Sequence, residues 1–131
     1  MSNLSDFIST GAVLVEDIHN SNYTFVAGDE RAKLHTKTSD TPYNWTIPLN
    51  SVVPFQIGSI LTIYNGGAGD ITIIADGAAT LRTMGSSVDG DKTLGENYKA
   101  SILKVGTDDW VISISGADSV TLSKLFFMGT L

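Results

Sequence analysis

A chain of 131 residues, 42% hydrophobic and 17% charged, has the composition of one globular domain and not of a disordered segment. Its net charge of −6, from 14 acidic against 8 basic residues, excludes a general polyanion binder, because phosphate affinity is built on clustered Lys and Arg. The absence of cysteine excludes a disulfide framework and thiolate metal ligation.

In chain order, Met1–Phe7 lacks a basic region followed by an apolar core, so no secretory signal is expected. No apolar run approaches the roughly 18–20 residues that cross a bilayer, and no membrane partner is expected. Leu4, Phe7 and Ile8 make this first segment apolar for an arm. Short strands are expected over Ala12–Val15, Tyr23–Ala27 and Lys33–His35. Pro48 and Pro54 bracket Leu49–Val53, which reads as a crossing loop because proline interrupts a sheet ladder.

Ile60–Tyr64 and Ile71–Ile74 are β-branched and aromatic, too short for helices, and flanked by glycine. The run Asn65-Gly66-Gly67-Ala68-Gly69-Asp70 between them reads as a hairpin loop, since Asn and Gly tolerate positive φ. Asp76-Gly77 supplies a second turn before Ala79–Arg82. Gly106-Thr107-Asp108 supplies a third, between Tyr98–Val105 and Asp109–Ser115. In the last of these, Trp110, Ile112 and Ile114 fall on one face and Ser113 and Ser115 on the other, the period of a half-buried strand.

The chain closes on Leu122, Leu125, Phe126, Phe127 and Met128, too apolar for a solvated tail. Either this segment is the last strand of the core or it docks on another subunit. The expected fold is therefore all-β, a compact antiparallel sandwich or barrel-like module with short terminal arms. Residues 1–22 form an N-terminal arm and first strand, 23–116 the β module, and 117–131 a C-terminal apolar strand or arm.

Several landmarks recur in order: Tyr23-Thr24, Trp45-Thr46-Ile47-Pro48, Phe55-Gln56-Ile57-Gly58-Ser59-Ile60, Gly67-Ala68-Gly69-Asp70-Ile71-Thr72-Ile73, Ala75-Asp76-Gly77, Ala100–Lys104 and Gly106–Trp110. In this order and spacing, Tyr23 to Ser115 resembles a small β module of tailed-bacteriophage virion structural proteins, among them tail fibres, tailspikes and decoration-type proteins. Gln56 departs from the pattern, which often has proline there. The resemblance implies a scaffold without catalytic residues, located in the virion after synthesis in the host cytoplasm. It also implies a homo-oligomer, a trimer, in contact with the major capsid protein or another virion protein.

On this reading the chain is a non-enzymatic capsid decoration or cement protein. Leu4, Phe7, Ile8, Leu122, Leu125, Phe126, Phe127 and Met128 are its candidate interface. The alternative is a tail-fibre-associated module that binds a host glycan or receptor through Tyr43 and Trp45, which share one face of a strand and can stack on a sugar if exposed.

No nucleic-acid partner, cofactor or metal is expected. The two histidines, His19 and His35, have no neighbour at a metal-ligand spacing, and a structural or surface role is expected for both. Asp89-Gly90-Asp91 and nearby Glu96 lack the longer ligand alternation of a calcium loop and read as a solvated turn.

Overall fold

The alternation that marks strands in the sequence is carried directly into burial. Leu61, Ile63 and Asn65 are buried in the strand Ile60–Asn65, while Ile60, Thr62 and Tyr64 are not. The computed structural model describes residues 13–116. These form ten strands and no helix: β1 (Val15–Ile18), β2 (Tyr23–Thr24), β3 (Lys33–Lys37), β4 (Tyr43–Ile47), β5 (Ile60–Asn65), β6 (Ile71–Ala75), β7 (Thr80–Thr83), β8 (Lys92–Leu94), β9 (Lys99–Gly106) and β10 (Asp109–Ser115). The expected all-β class is observed. β8 has no counterpart among the expected strands.

The strands make two mixed sheets, one ordered β1-β3-β5-β9-β10-β7 and the other β2-β4-β6-β8. This corrects the expectation of an antiparallel module, and the open edges correct the barrel alternative. Within the first six strands every pairing is parallel: β1 with β3, β3 with β5, β2 with β4, and β4 with β6. The chain therefore coils, laying odd strands in one sheet and even strands in the other. Each coil stacks on the last. Antiparallel pairing enters only later, where β8 returns against β6, β9 against β5, and β10 against β9; β7 then joins β10 in parallel.

The run Asn65–Asp70 is consequently not a hairpin loop, because β5 and β6 lie in different sheets. It is a corner between them, stacked on the corner of the preceding coil. None of Gly66, Gly67 and Gly69 adopts positive φ. These glycines are required by space instead. A Cβ on Gly67 would lie 1.8 Å from the Ser39 carbonyl oxygen, and one on Gly69 would lie 2.4 Å from that of Asp40. Buried Asn65 holds the corner: its side-chain amide donates to the carbonyls of Gly69 and Leu94, and its oxygen accepts from Gly67 N–H. One coil earlier, the oxygen of Asn20 accepts from the N–H groups of Thr38 and Ser39 in the same manner.

The inward faces of both sheets contribute to one apolar cluster. Leu61, Ile63, Ile102, Trp110 and Ile112 come from the larger sheet and Trp45, Ile47, Ile71, Ile73 and Leu94 from the smaller. Each such side chain, fully buried, contributes on the order of 1.5–3 kcal/mol. The Leu49–Val53 segment is a loop, as expected, and buried Lys104 ties it to β9. Its ammonium donates to Asn50 Oδ1 at 2.6 Å and to the Phe55 carbonyl at 2.7 Å. Burial holds the Lys104 amine below its ordinary value, with Asp108 pulling in the other direction.

Candidate functional site

Register along the coil determines what its interior contains. His35 on β3 is paired with Asp17 on β1 and with Ile63 on β5, so these three share one inward file. Lys37 is likewise aligned with Asn65. From the third coil to the first, the file passes from apolar to polar and ionisable residues. The ionisable end lies in the first coil, whose strands β1 and β2 are edge strands among the described residues.

There Asp17, His19 and His35 converge, each offering a donor atom within 4.8 Å of the others. His35 Nδ1 lies 3.1 Å from His19 Nε2. Asp17 Oδ2 lies 3.5 Å from His19 Nε2 and 3.9 Å from His35 Nδ1. His35 is fully buried, His19 is 11% exposed and Asp17 is 34% exposed, so the cluster opens toward solvent on the Asp17 side.

The surroundings define its protonation. His35 Nε2 is 2.9 Å from the backbone carbonyl of Asp29, which can only accept, so Nε2 carries the ring hydrogen. In the neutral ring, Nδ1 is then bare and faces His19. His19 stacks on Tyr23 with ring centroids 3.6 Å apart and meets Trp45 edge-on at 5.5 Å. Burial holds the His19 imidazole below its ordinary value; Asp17 opposes this and His35 adds to it.

Asp29, also buried, orders the shell. Its carboxylate accepts from Tyr23 Oη at 2.6 Å, from Val26 N–H at 2.8 Å and from Lys33 Nζ at 3.4 Å. Burial and this carboxylate together push the Tyr23 phenol well above its ordinary value. Lys33 Nζ also lies 3.6 Å from Asp17 Oδ2, bridging the two acids.

Sequence reasoning gave both histidines a structural or surface role and missed their convergence with Asp17. The local signal available was Asp17-x-His19, whose spacing of two puts both donors on one side of an extended segment, Asp17 in β1 and His19 just beyond it. The third donor is contributed by a parallel neighbour, and period-two patterning does not encode neighbours.

The other site residues lie elsewhere. Trp45 is fully buried, its indole N–H donating to the Ser21 carbonyl at 3.2 Å, and Tyr43 is half-buried against the core. The two do not form an exposed aromatic platform. Asp89 Oδ1 is engaged by Leu81 N–H at 2.7 Å. Leu4, Phe7, Ile8, Leu122, Leu125, Phe126, Phe127 and Met128 lie outside the described residues. Within those described, the outer edge of the first coil carries apolar side chains in solvent: Val13, Val15 and Ile18 are 75%, 66% and 51% exposed. No protein-family model, curated protein or solved structure matches the chain.

Proposed function

We propose that this chain is a non-enzymatic structural protein of a phage particle, a capsid decoration or cement protein that works as a homo-oligomer. The observation that carries the reading is the open first coil. Among the described residues β1 is an edge strand with Val13, Val15 and Ile18 exposed along it, and an edge of this kind is a template for strand addition from another chain. Its occupant in this proposal is a second copy of the chain, and the expected assembly is a trimer located in the virion.

The two-sheet body, which we read as sandwich-like, serves as a rigid knob. Its corners are stacked backbone to backbone and tied by Asn20 and Asn65. The resemblance of Tyr23–Ser115 to phage virion modules supports the setting. The apolar residues Leu4, Phe7, Ile8, Leu122, Leu125, Phe126, Phe127 and Met128 supply further contact area, either with neighbouring copies or with the major capsid protein.

Electron microscopy of intact particles tests the setting: the expected density is repeated over the shell lattice, and a few copies confined to the tail overturn the decoration reading. Light scattering on the purified chain tests the assembly. Val15→Lys places a charge on the open edge and is expected to lower the oligomer number without lowering the unfolding midpoint. An unchanged oligomer defeats the edge-pairing part of the proposal. A truncation lacking Leu122–Leu131 is expected to attach poorly to capsids.

A further inference from the structure

We propose that Asp17, His19 and His35 form a binding site for a zinc-type divalent metal ion, with His19 Nε2, His35 Nδ1 and one Asp17 carboxylate oxygen as ligands. The site follows from the geometry of the first two coils and does not depend on the phage reading.

Two ligands about 2.05 Å from a tetrahedral zinc ion stand about 3.4 Å apart. The three donor separations here, 3.1, 3.5 and 3.9 Å, bracket that edge length. A small rotation of the partly exposed Asp17 carboxylate brings the longest of them in. Two imidazoles and a carboxylate form a donor set suited to zinc and its neighbours, and a poor one for the hard ions calcium and magnesium. The fourth position faces the solvent side and is available to water.

The shell is arranged as metal-binding histidines require. The Asp29 carbonyl accepts the His35 Nε2 hydrogen, which fixes the ring and leaves Nδ1 bare toward the site. His19 is held by its stack on Tyr23. Without metal, the Nε2 hydrogen of His19 occupies the space between the two rings and Asp17. With metal, His19 carries its hydrogen on Nδ1 and Nε2 becomes a ligand, so the ion replaces a hydrogen bond without disturbing the fold. Among the described residues Lys33 is the lysine that contacts Asp17, and Asp29 Oδ1, 3.4 Å from Lys33 Nζ, can retain it when Asp17 turns to the metal. Because Asp17 and His19 belong to the first coil and His35 to the second, a bound ion would clasp the open coil to its neighbour.

The test is titration of the untagged full chain with cobalt(II) alone, followed by zinc(II) alone as competitor. The expected result is one equivalent of cobalt with the intense visible bands of four-coordinate geometry, displaced stoichiometrically by zinc. His19→Gln and Asp17→Asn replace partly exposed side chains, and circular dichroism on the metal-free proteins checks their folding. Each is expected to weaken binding by more than about 100-fold, beyond the 10–100-fold typical of losing an outer-shell partner. Absence of the cobalt bands in the wild-type chain, or bands of equal strength and affinity in both variants, overturns the site.

Discussion

His35 Nδ1 faces His19 Nε2 at 3.1 Å although the two residues are 16 apart in the chain. The contact exists because β1 and β3 are parallel neighbours, which places the end of β1 beside the middle of β3. It also makes His35 the polar hub of the interior, joined to His19 through one ring nitrogen and to the Asp29 carbonyl through the other.

Replacing His35 with leucine keeps most of the volume and removes both bonds. The Asp29 carbonyl then loses its partner in a buried environment, while His19 Nε2 keeps Asp17 Oδ2 at 3.5 Å. Losing a buried partner costs about 1–3 kcal/mol per orphaned group. Urea denaturation of His35→Leu is expected to show a loss in this range. Stability equal to wild type would mean that the pair contributes nothing to the fold.

The corner stack makes a sharper distinction between two glycines. Gly67→Ala places a methyl group 1.8 Å from the Ser39 carbonyl oxygen, a clash between two backbones that no side-chain rotation relieves. A loss above about 3 kcal/mol, or failure to fold, is expected. On Gly95 the nearest atom to a new methyl is 3.5 Å away, an ordinary contact with the Tyr98 ring. Gly95→Ala is expected to stay within about 1 kcal/mol of wild type. Equilibrium denaturation of the two variants side by side checks the difference.

Lys104→Met removes the donor that holds Asn50 and the Phe55 carbonyl, and methionine fills most of the vacated space. A cost of about 1–3 kcal/mol is expected from the buried carbonyl left unpaired. The effect should be local. Amide exchange in the 49–58 segment is expected to accelerate more than exchange in β9 and β10, as measured by hydrogen–deuterium exchange.

Asp109 gives the pH dependence a definite sign. The Thr80 hydroxyl, at 2.6 Å, and then the Arg82 guanidinium, at 2.7 Å, hold its carboxyl below the ordinary value of 3.8. Below that value the unfolded chain takes up a proton that the folded chain refuses, so stability decreases as the pH is lowered. The contribution is complete above 3.8 and lost as pH drops through the folded value. Asp109→Asn is expected to flatten this part of the acid-unfolding profile, followed by tryptophan fluorescence.

Much of the local structure was legible in the chain itself. Alternation placed Trp110 and Ile112 inward on β10, and both are buried while Ser113 is exposed. The turn at Gly106-Thr107-Asp108 is a true hairpin between antiparallel β9 and β10. Pro48 and Pro54 marked a segment that stays outside the sheets. Each of these follows from steric and periodic rules that act within a few residues.

What only the tertiary structure decided is which strand lies beside which. Alternation states which face of a strand is buried and is silent on its neighbour, so the same pattern serves a hairpin or a coil. The glycines of Asn65–Asp70 suggested positive φ in a hairpin, whereas they permit one corner to rest on the backbone of another. Asp17 and His35 are unremarkable in sequence and become partners through the register of two parallel strands. A donor cluster assembled across strands depends on distances set by the whole coil, and those distances have no counterpart in residue spacing.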